Sequence, residues 1–111
     1  MNASPTQNSL KHLRDNGYKT WVVEHWNSFT KKRVDLFNAW DIIAVRKNEV
    51  LFVQTTSWAN TSARINKIAD NEYTPHLRDA GIRLEVHGWA KKPQTKGSKR
   101  LVWTPKIIDV S

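Results

Sequence analysis

The chain of 111 residues has no cysteine, and its 10 acids are outnumbered by 18 lysines and arginines. Glycine and proline are sparse, at four each. Without cysteine there is neither a disulfide nor a thiolate metal site, so a bound metal would be a hard ion held by oxygen. No apolar run approaches membrane-spanning length, and the opening MNASPTQNSLKHL has no apolar signal region. The expected location is therefore cytoplasmic. Repeats and low-complexity tracts are absent. The length suits a single domain, residues 1–111, with one modest core.

What the chain has in excess is positive charge and tryptophan: a net charge of +8 and six Trp. In a domain this small the combination points to a polyanionic partner, above all nucleic acid. No basic amphipathic helix stands out, which disfavours an anionic membrane surface.

The stretch DLFNAWDIIAVRKNEVLFVQTTS, residues 35–57, organises the rest. Its two apolar runs, Ile42-Ile43-Ala44-Val45 and Val50-Leu51-Phe52-Val53, have the length and β-branched content of buried strands. Arg46-Lys47-Asn48-Glu49 reads as the tight turn of a hairpin. Asp41 stands just before the first strand, and Gln54, Thr55 and Thr56 finish the second. Antiparallel pairing sets Asp41 beside Gln54 and Thr56. Strand alternation puts Gln54 and Thr56 on one face and Val53 and Thr55 on the other. Such a cluster is either a site or an ordinary set of solvated strand ends.

Ahead of the hairpin, Ser4-Pro5 opens a helix that Gly17 closes, spanning about residues 5–16 with Leu10 and Leu13 on its inner face. His12 is expected at the surface. Residues 18–26 read as one strand with Glu24 near its end, as a ligand or as an exposed acid. Residues 27–34 read as a loop whose Lys31, Lys32 and Arg33 are solvated or hold a phosphate.

Behind the hairpin, Asn60 or Thr61 caps a helix with Ala63, Ile65, Ile68 and Ala69 inward and Arg64 and Lys67 sharing a face. Thr74 caps a second helix that starts with Pro75, buries Leu77 and Ala80 and stops at Gly81. His76 is expected at the surface. Residues 82–89 alternate as a half-exposed strand, with His87 near its end as a phosphate contact or a structural histidine. Residues 90–98 read as a flexible hairpin loop, and Leu101 to Thr104 as a last strand that Pro105 limits. Lys91, Lys92, Lys96, Lys99, Arg100 and Lys106 make a basic run that is either solvated or laid along a phosphate backbone. Most Trp residues are expected in the core, with Trp58 and Trp26 the candidates for stacking on an unpaired base. Helix, strand, hairpin, helices and two further strands predict a small α/β sandwich with a mixed sheet.

From Trp21 to Trp89 the chain resembles the PD-(D/E)XK nuclease superfamily, and within it the small phage-encoded and Holliday-junction-resolvase-like members. The resemblance rests on VVEHW, DLFNAWDIIAV, LFVQTTS, the helix carrying Arg64 and Lys67, and the strand ending VHGW. It implies a restriction-endonuclease-like sandwich, with helices flanking a mixed central β-sheet. The family signature is an Asp on one hairpin strand and an acid-x-Lys triplet on the next. Asp41 matches the Asp, while Gln54 stands for the acid and Thr56 for the lysine.

Glu24 and Asp35 would then supply the missing carboxylates, giving a magnesium or manganese site of Glu24, Asp35, Asp41 and Gln54. Lys67 or Arg64 would supply the missing cation. DNA would lie against Lys31, Lys32, Arg33, Arg64, Lys91, Lys92, Lys96, Lys99 and Arg100. The function so implied is a metal-dependent endonuclease on branched DNA, working as a homodimer because both strands of a junction must be cut. The alternatives are a non-catalytic DNA-binding protein on the same fold and a small RNA-binding module.

Overall fold

The computed structural model describes residues 4–111. Helix α1 (Pro5–Asp15) begins as its sequence predicts, with the Ser4 hydroxyl accepting from the Gln7 N–H at 3.1 Å. Past its end Gly17 takes a left-handed φ of 89°.

Seven strands follow in chain order with two further α-helices between them: β1 (Lys19–Val22), β2 (His25–Asn27), β3 (Lys32–Val34), β4 (Ile42–Arg46), β5 (Glu49–Ser57), α2 (Thr61–Ala69), α3 (Thr74–Asp79), β6 (Arg83–Pro93) and β7 (Leu101–Asp109), with a short 3-10 turn at Trp58–Asn60 leading into α2. Five of them form one mixed sheet in the order β1-β4-β5-β6-β7. β1, β4 and β5 run antiparallel, β6 lies parallel to β5, and β7 returns antiparallel to β6.

Strand alternation divides the core. One face of the sheet carries Ile42, Ala44, Leu51 and Val53 against Leu13 of α1 and Tyr18. Phe52, Leu84 and Val86 on the other face meet Ile68 of α2, Leu77 of α3 and Trp40. The α/β class and the mixed sheet are as expected. No helix among the described residues is long and apolar enough to cross a membrane.

Several boundaries differ from the sequence reading. The strand expected over residues 18–26 is two strands. β1 joins the main sheet, and β2 pairs with β3 in a separate ribbon, so Lys32 and Arg33 lie on a strand rather than in a loop. Residues 90–93 continue β6 instead of looping, and β7 runs straight through Pro105, which pairs with Trp89. β7 is a sheet edge, where a missing N–H leaves no ladder bond unmade. The segment 82–89 is not half-exposed, because β5 and β7 flank it and helices cover it; Leu84 and Val86 to Trp89 are all buried.

On α2, Ile65 and Ile68 turn inward while Ala63 and Ala69 are exposed, as is Ala80 after α3. Thr74 lies inside α3, where its hydroxyl donates to the Ile68 carbonyl at 2.6 Å. Only Trp40 and Trp89 are core tryptophans, while Trp21 is 74% and Trp26 60% exposed.

Two polar groups tie the layers together. Ser9 on α1 is fully buried; it accepts from Trp89 Nε1 at 2.8 Å and lies 3.0 Å from His87 Nδ1. His87 is therefore a buried structural residue, its Nε2 3.0 Å from Glu85 Oε1. His12, expected in solvent, is half-buried, with its ring centroid 5.9 Å from that of His87. At the hairpin turn Glu49 accepts from Tyr18 Oη at 2.8 Å and Arg46 Nε at 2.6 Å, and pairs with Arg83. Burial opposes its charge, but these donors prevail and hold its carboxyl down at about 2.

Candidate functional site

Three acids distant in sequence meet at one end of the β4–β5 hairpin. Carboxylate oxygens of Glu24, Asp35 and Asp41 all lie within 4.8 Å of one another. Each arrives by a different device. The β1–β4 register pairs Val22 with Ile42, and the Val23 N–H donates to the Asp41 carbonyl at 2.9 Å, which brings Glu24 alongside. Asp35 and Asp41 are joined by a tight turn in which Phe37 and Asn38 take left-handed φ values of 52° and 63°. Leu36 and Trp40 then close a small bridge, exchanging N–H···O bonds of 3.0 Å in both directions. A bulky residue such as Phe37 rarely adopts this conformation, so the surrounding structure holds a local strain here. Gln54 comes opposite Asp41 because Ile42 pairs with Val53.

Asp41 is 4% exposed and strongly engaged. Its Oδ2 accepts from Gln54 Nε2 at 2.8 Å, the Thr55 N–H at 2.8 Å and Thr55 Oγ1 at 3.1 Å. Thr6 of α1 stands 3.0 Å from Thr55 Oγ1 and completes the chain of hydroxyls. No protein hydrogen bond falls on Asp41 Oδ1 among the described residues. Burial pushes the Asp41 carboxyl up to about 6, with the nearby charges of Asp35 and Glu24 adding to the rise and the Thr55 hydrogen bonds opposing it.

The donor set suits a hard cation. The three carboxylates offer oxygen alone, as such ions require. Gln54 Oε1 is buried with no hydrogen-bond partner among the described residues, a group that wants a cation or a donor. Burial first, and the neighbouring Asp35 and Glu24 second, leave the Asp41 charge undercompensated. Positive charge stands at the rim. Arg33 and Arg64 line the same pocket of about 310 Å³, and Arg33 Nη1 reaches Glu24 Oε1 at 3.5 Å.

Of the residues named from sequence, Glu24, Asp35, Asp41, Gln54, Arg33 and Arg64 are thus brought together. Thr56 is not among them. It is buried but does not line the pocket, and Thr55 takes its place by wrapping over the carboxylate with its N–H and hydroxyl. Lys67 is one step removed, lining the adjoining hollow with Lys32, Asn38 and the shared Asp35 and Arg33. Pro5 and Thr6 at the start of α1 complete the wall, and no local pattern announces them.

Lys91 and Lys92 lie on β6, while Lys96, Lys99 and Arg100 are exposed beyond it. Lys92 Nζ sits 4.8 Å and Lys106 Nζ 5.7 Å from the Trp58 ring centroid. Comparison of the chain with protein-family models, curated proteins and solved structures finds no match.

Proposed function

We propose that the chain is a metal-dependent endonuclease acting on branched DNA in the manner of a Holliday-junction resolvase, on a restriction-endonuclease-like fold. It would work in the cytoplasm as a homodimer. The observation that carries this reading is the convergence of Glu24, Asp35 and Asp41 beside the unpartnered Gln54 carbonyl, in a pocket edged by two arginines. The order of elements supports it: a helix, three antiparallel strands, a helical crossover and a parallel strand are what the nuclease resemblance implies.

The chemistry divides among the groups as follows. Glu24, Asp35 and Asp41 would hold magnesium or manganese, and Gln54 would add a neutral oxygen. A divalent ion held there would polarise a phosphodiester and acidify a bound water. Thr55 and Gln54 lock Asp41 by hydrogen bonds and so fix the direction of its free oxygen. Arg64, on the rim, is the cation that takes the place of the signature lysine and neutralises charge building on the phosphate. Lys67, across Asp35, steers the strand rather than touching the reacting atoms.

A second reading, a DNA-binding protein that does not cut, is favoured by one observation. The amide at the signature acid position donates to Asp41 instead of adding a negative charge. A cleavage assay on branched and linear DNA, with and without manganese, separates the two. The nuclease reading expects manganese-dependent cutting that Asp41→Ala abolishes. Equal cutting by the purified variant, or no cutting of any substrate by the parent, sinks it.

A further inference from the structure

We propose that the cleft between α1 and the β6–β7 hairpin is a binding pocket for one unpaired base of single-stranded DNA. It is separate from the carboxylate pocket. The inference rests on the DNA-binding part of the function proposed above and not on cleavage.

The cleft has a volume of about 380 Å³ and is lined by Asn8, His12, Trp89, Trp103 and Pro105, with the Lys11–Asp15 ion pair at its side. Trp89 is buried, while Trp103 is 36% exposed and offers a large ring to an entering group. A flat aromatic ligand suits such surroundings, since a base of any identity stacks on a tryptophan face. Polar edges are served too. Asn8 lines the cleft; its Nδ2 is buried with no hydrogen-bond partner among the described residues, and rotation of the terminal torsion exchanges the amide nitrogen and oxygen. With that rotation the amide can offer a polar atom to the edge of a base.

Charge identifies the rest of the ligand. Lys91 Nζ lies 5.4 Å from the Trp103 ring centroid, where the phosphate of a stacked nucleotide would need neutralising. Lys96, Lys99 and Arg100 follow at the tip of the same hairpin, all exposed, while Lys92 faces Trp58 on the other side of the sheet. Among the described residues Asp15 is the only acid lining the cleft, and Lys11 pairs with it at 2.9 Å. An apolar peptide would have no use for this run of cations.

The other candidate rings are less available. Trp58 has two lysine ammonium groups near its ring where Trp103 has one, and Trp26 lies on the small β2–β3 ribbon. Helix α1 joins the two pockets. Thr6 lines the carboxylate pocket and His12 the cleft, about 9 Å apart along a helix axis. A strand of a few nucleotides spans that distance. A branch or flap next to the scissile phosphate would thus be held by its unpaired base, which supplies a physical basis for preferring branched over plain duplex DNA.

The test is binding of the full chain, in EDTA, to a fluorescent single-stranded oligothymidylate, to the same strand with abasic sites, and to a duplex. Trp103→Ala is expected to weaken single-strand binding about tenfold while changing duplex binding little. The abasic strand should bind the parent about tenfold more weakly and should not distinguish parent from variant. Trp103→Phe, which keeps a ring, should recover most of the affinity. Lys91→Ala, which alters no core residue, should weaken binding and flatten its salt dependence.

Equal losses on single strand and duplex, or an abasic strand bound as tightly as the intact one, overturn the proposal. Tighter binding of an oligouridylate than of the DNA strand overturns its assignment to DNA. Because no metal is present, a parent that binds as described yet never cuts fails the nuclease reading alone. A parent that cuts in manganese but ignores Trp103→Ala fails this one alone.

Discussion

Replacing Asp41 with Asn should stabilise the metal-free protein near neutral pH, although it removes a residue at the centre of the site. The folded-state carboxyl is pushed up to about 6 from an ordinary 3.8, chiefly by burial, with Asp35 and Glu24 adding. The difference corresponds to about 3 kcal/mol at 1.36 kcal/mol per unit of pKa. Its sign follows from which state holds the proton more tightly. The folded state does, so stability is highest below the unfolded value and falls as pH rises from about 4 to about 6, staying low above that.

The amide introduced by Asp41→Asn would carry no charge. Its carbonyl can accept the bonds that Gln54 Nε2 and Thr55 now give to Oδ2, and its NH2 would face the acids. In EDTA at about pH 7.5 the Asp41→Asn variant should therefore exceed the parent by about 2 kcal/mol in urea unfolding, a gap that closes by about pH 4. Manganese should reverse the order, raising the parent by linkage and the variant far less. A variant less stable than the parent at neutral pH, or a gap that does not change with pH, would refute the account of an undercompensated carboxylate cluster.

Two further substitutions probe the frame that holds both pockets. Ser9→Ala removes the hydroxyl shared by Trp89 Nε1 and His87 Nδ1 and leaves buried nitrogens unpaired, so it should cost about 2 kcal/mol in the same assay. Gly88→Ala would drive a Cβ into Thr61 Oγ1, which cannot easily yield because it donates to the Trp58 carbonyl at 2.8 Å. The Trp58 Cα at 3.2 Å and Ser57 carbonyl at 3.3 Å leave no other room, and a loss of about 1–3 kcal/mol is expected, read as a lower melting temperature.

The parts legible in the sequence are those set by local rules. Ser4-Pro5 and Gly17 bracket α1 because capping and left-handed closure are decided within a few residues. The two apolar runs announce β4 and β5, and the two residues between Arg46 and Glu49 can only turn the chain back, with Asn48 at a φ of 61°. Once that register is set, Asp41 must meet Gln54. The α/β class follows from the order of these pieces. Alternation failed at Thr55 because it describes side chains along a ladder, and the Asp41 carboxylate lies at the strand end, where it is reached by Gln54 and by Thr55 alike. Asp41 sits just outside the ladder and takes both the N–H and the hydroxyl of Thr55.

What could not be read depends on contacts between distant segments. Lys91, Lys92 and Pro93 have the composition of a loop, yet they are strand because residues 101–103 pair with them. The pairing extends the sheet edge beyond the core and leaves Trp103 beside α1 rather than inside the protein. The acids follow the same logic. Glu24, Asp35 and Asp41 could be named as carboxylates in search of a metal, but sequence spacing does not say whether Asp35 turns toward Asp41. That is settled by two consecutive left-handed residues, Phe37 and Asn38, of which only Asn is a common occupant. Phe37 is held there from outside the turn, its ring tilted against Tyr73 at 5.1 Å and stacked near Phe52 at 6.4 Å. The Asn71 amide meanwhile donates to the Phe37 carbonyl at 2.9 Å. The geometry of the carboxylate cluster is thus imposed by the segment between α2 and α3, with Asn71 lying 34 residues beyond Phe37, and a reading confined to the hairpin could name the ligands without being able to assemble them.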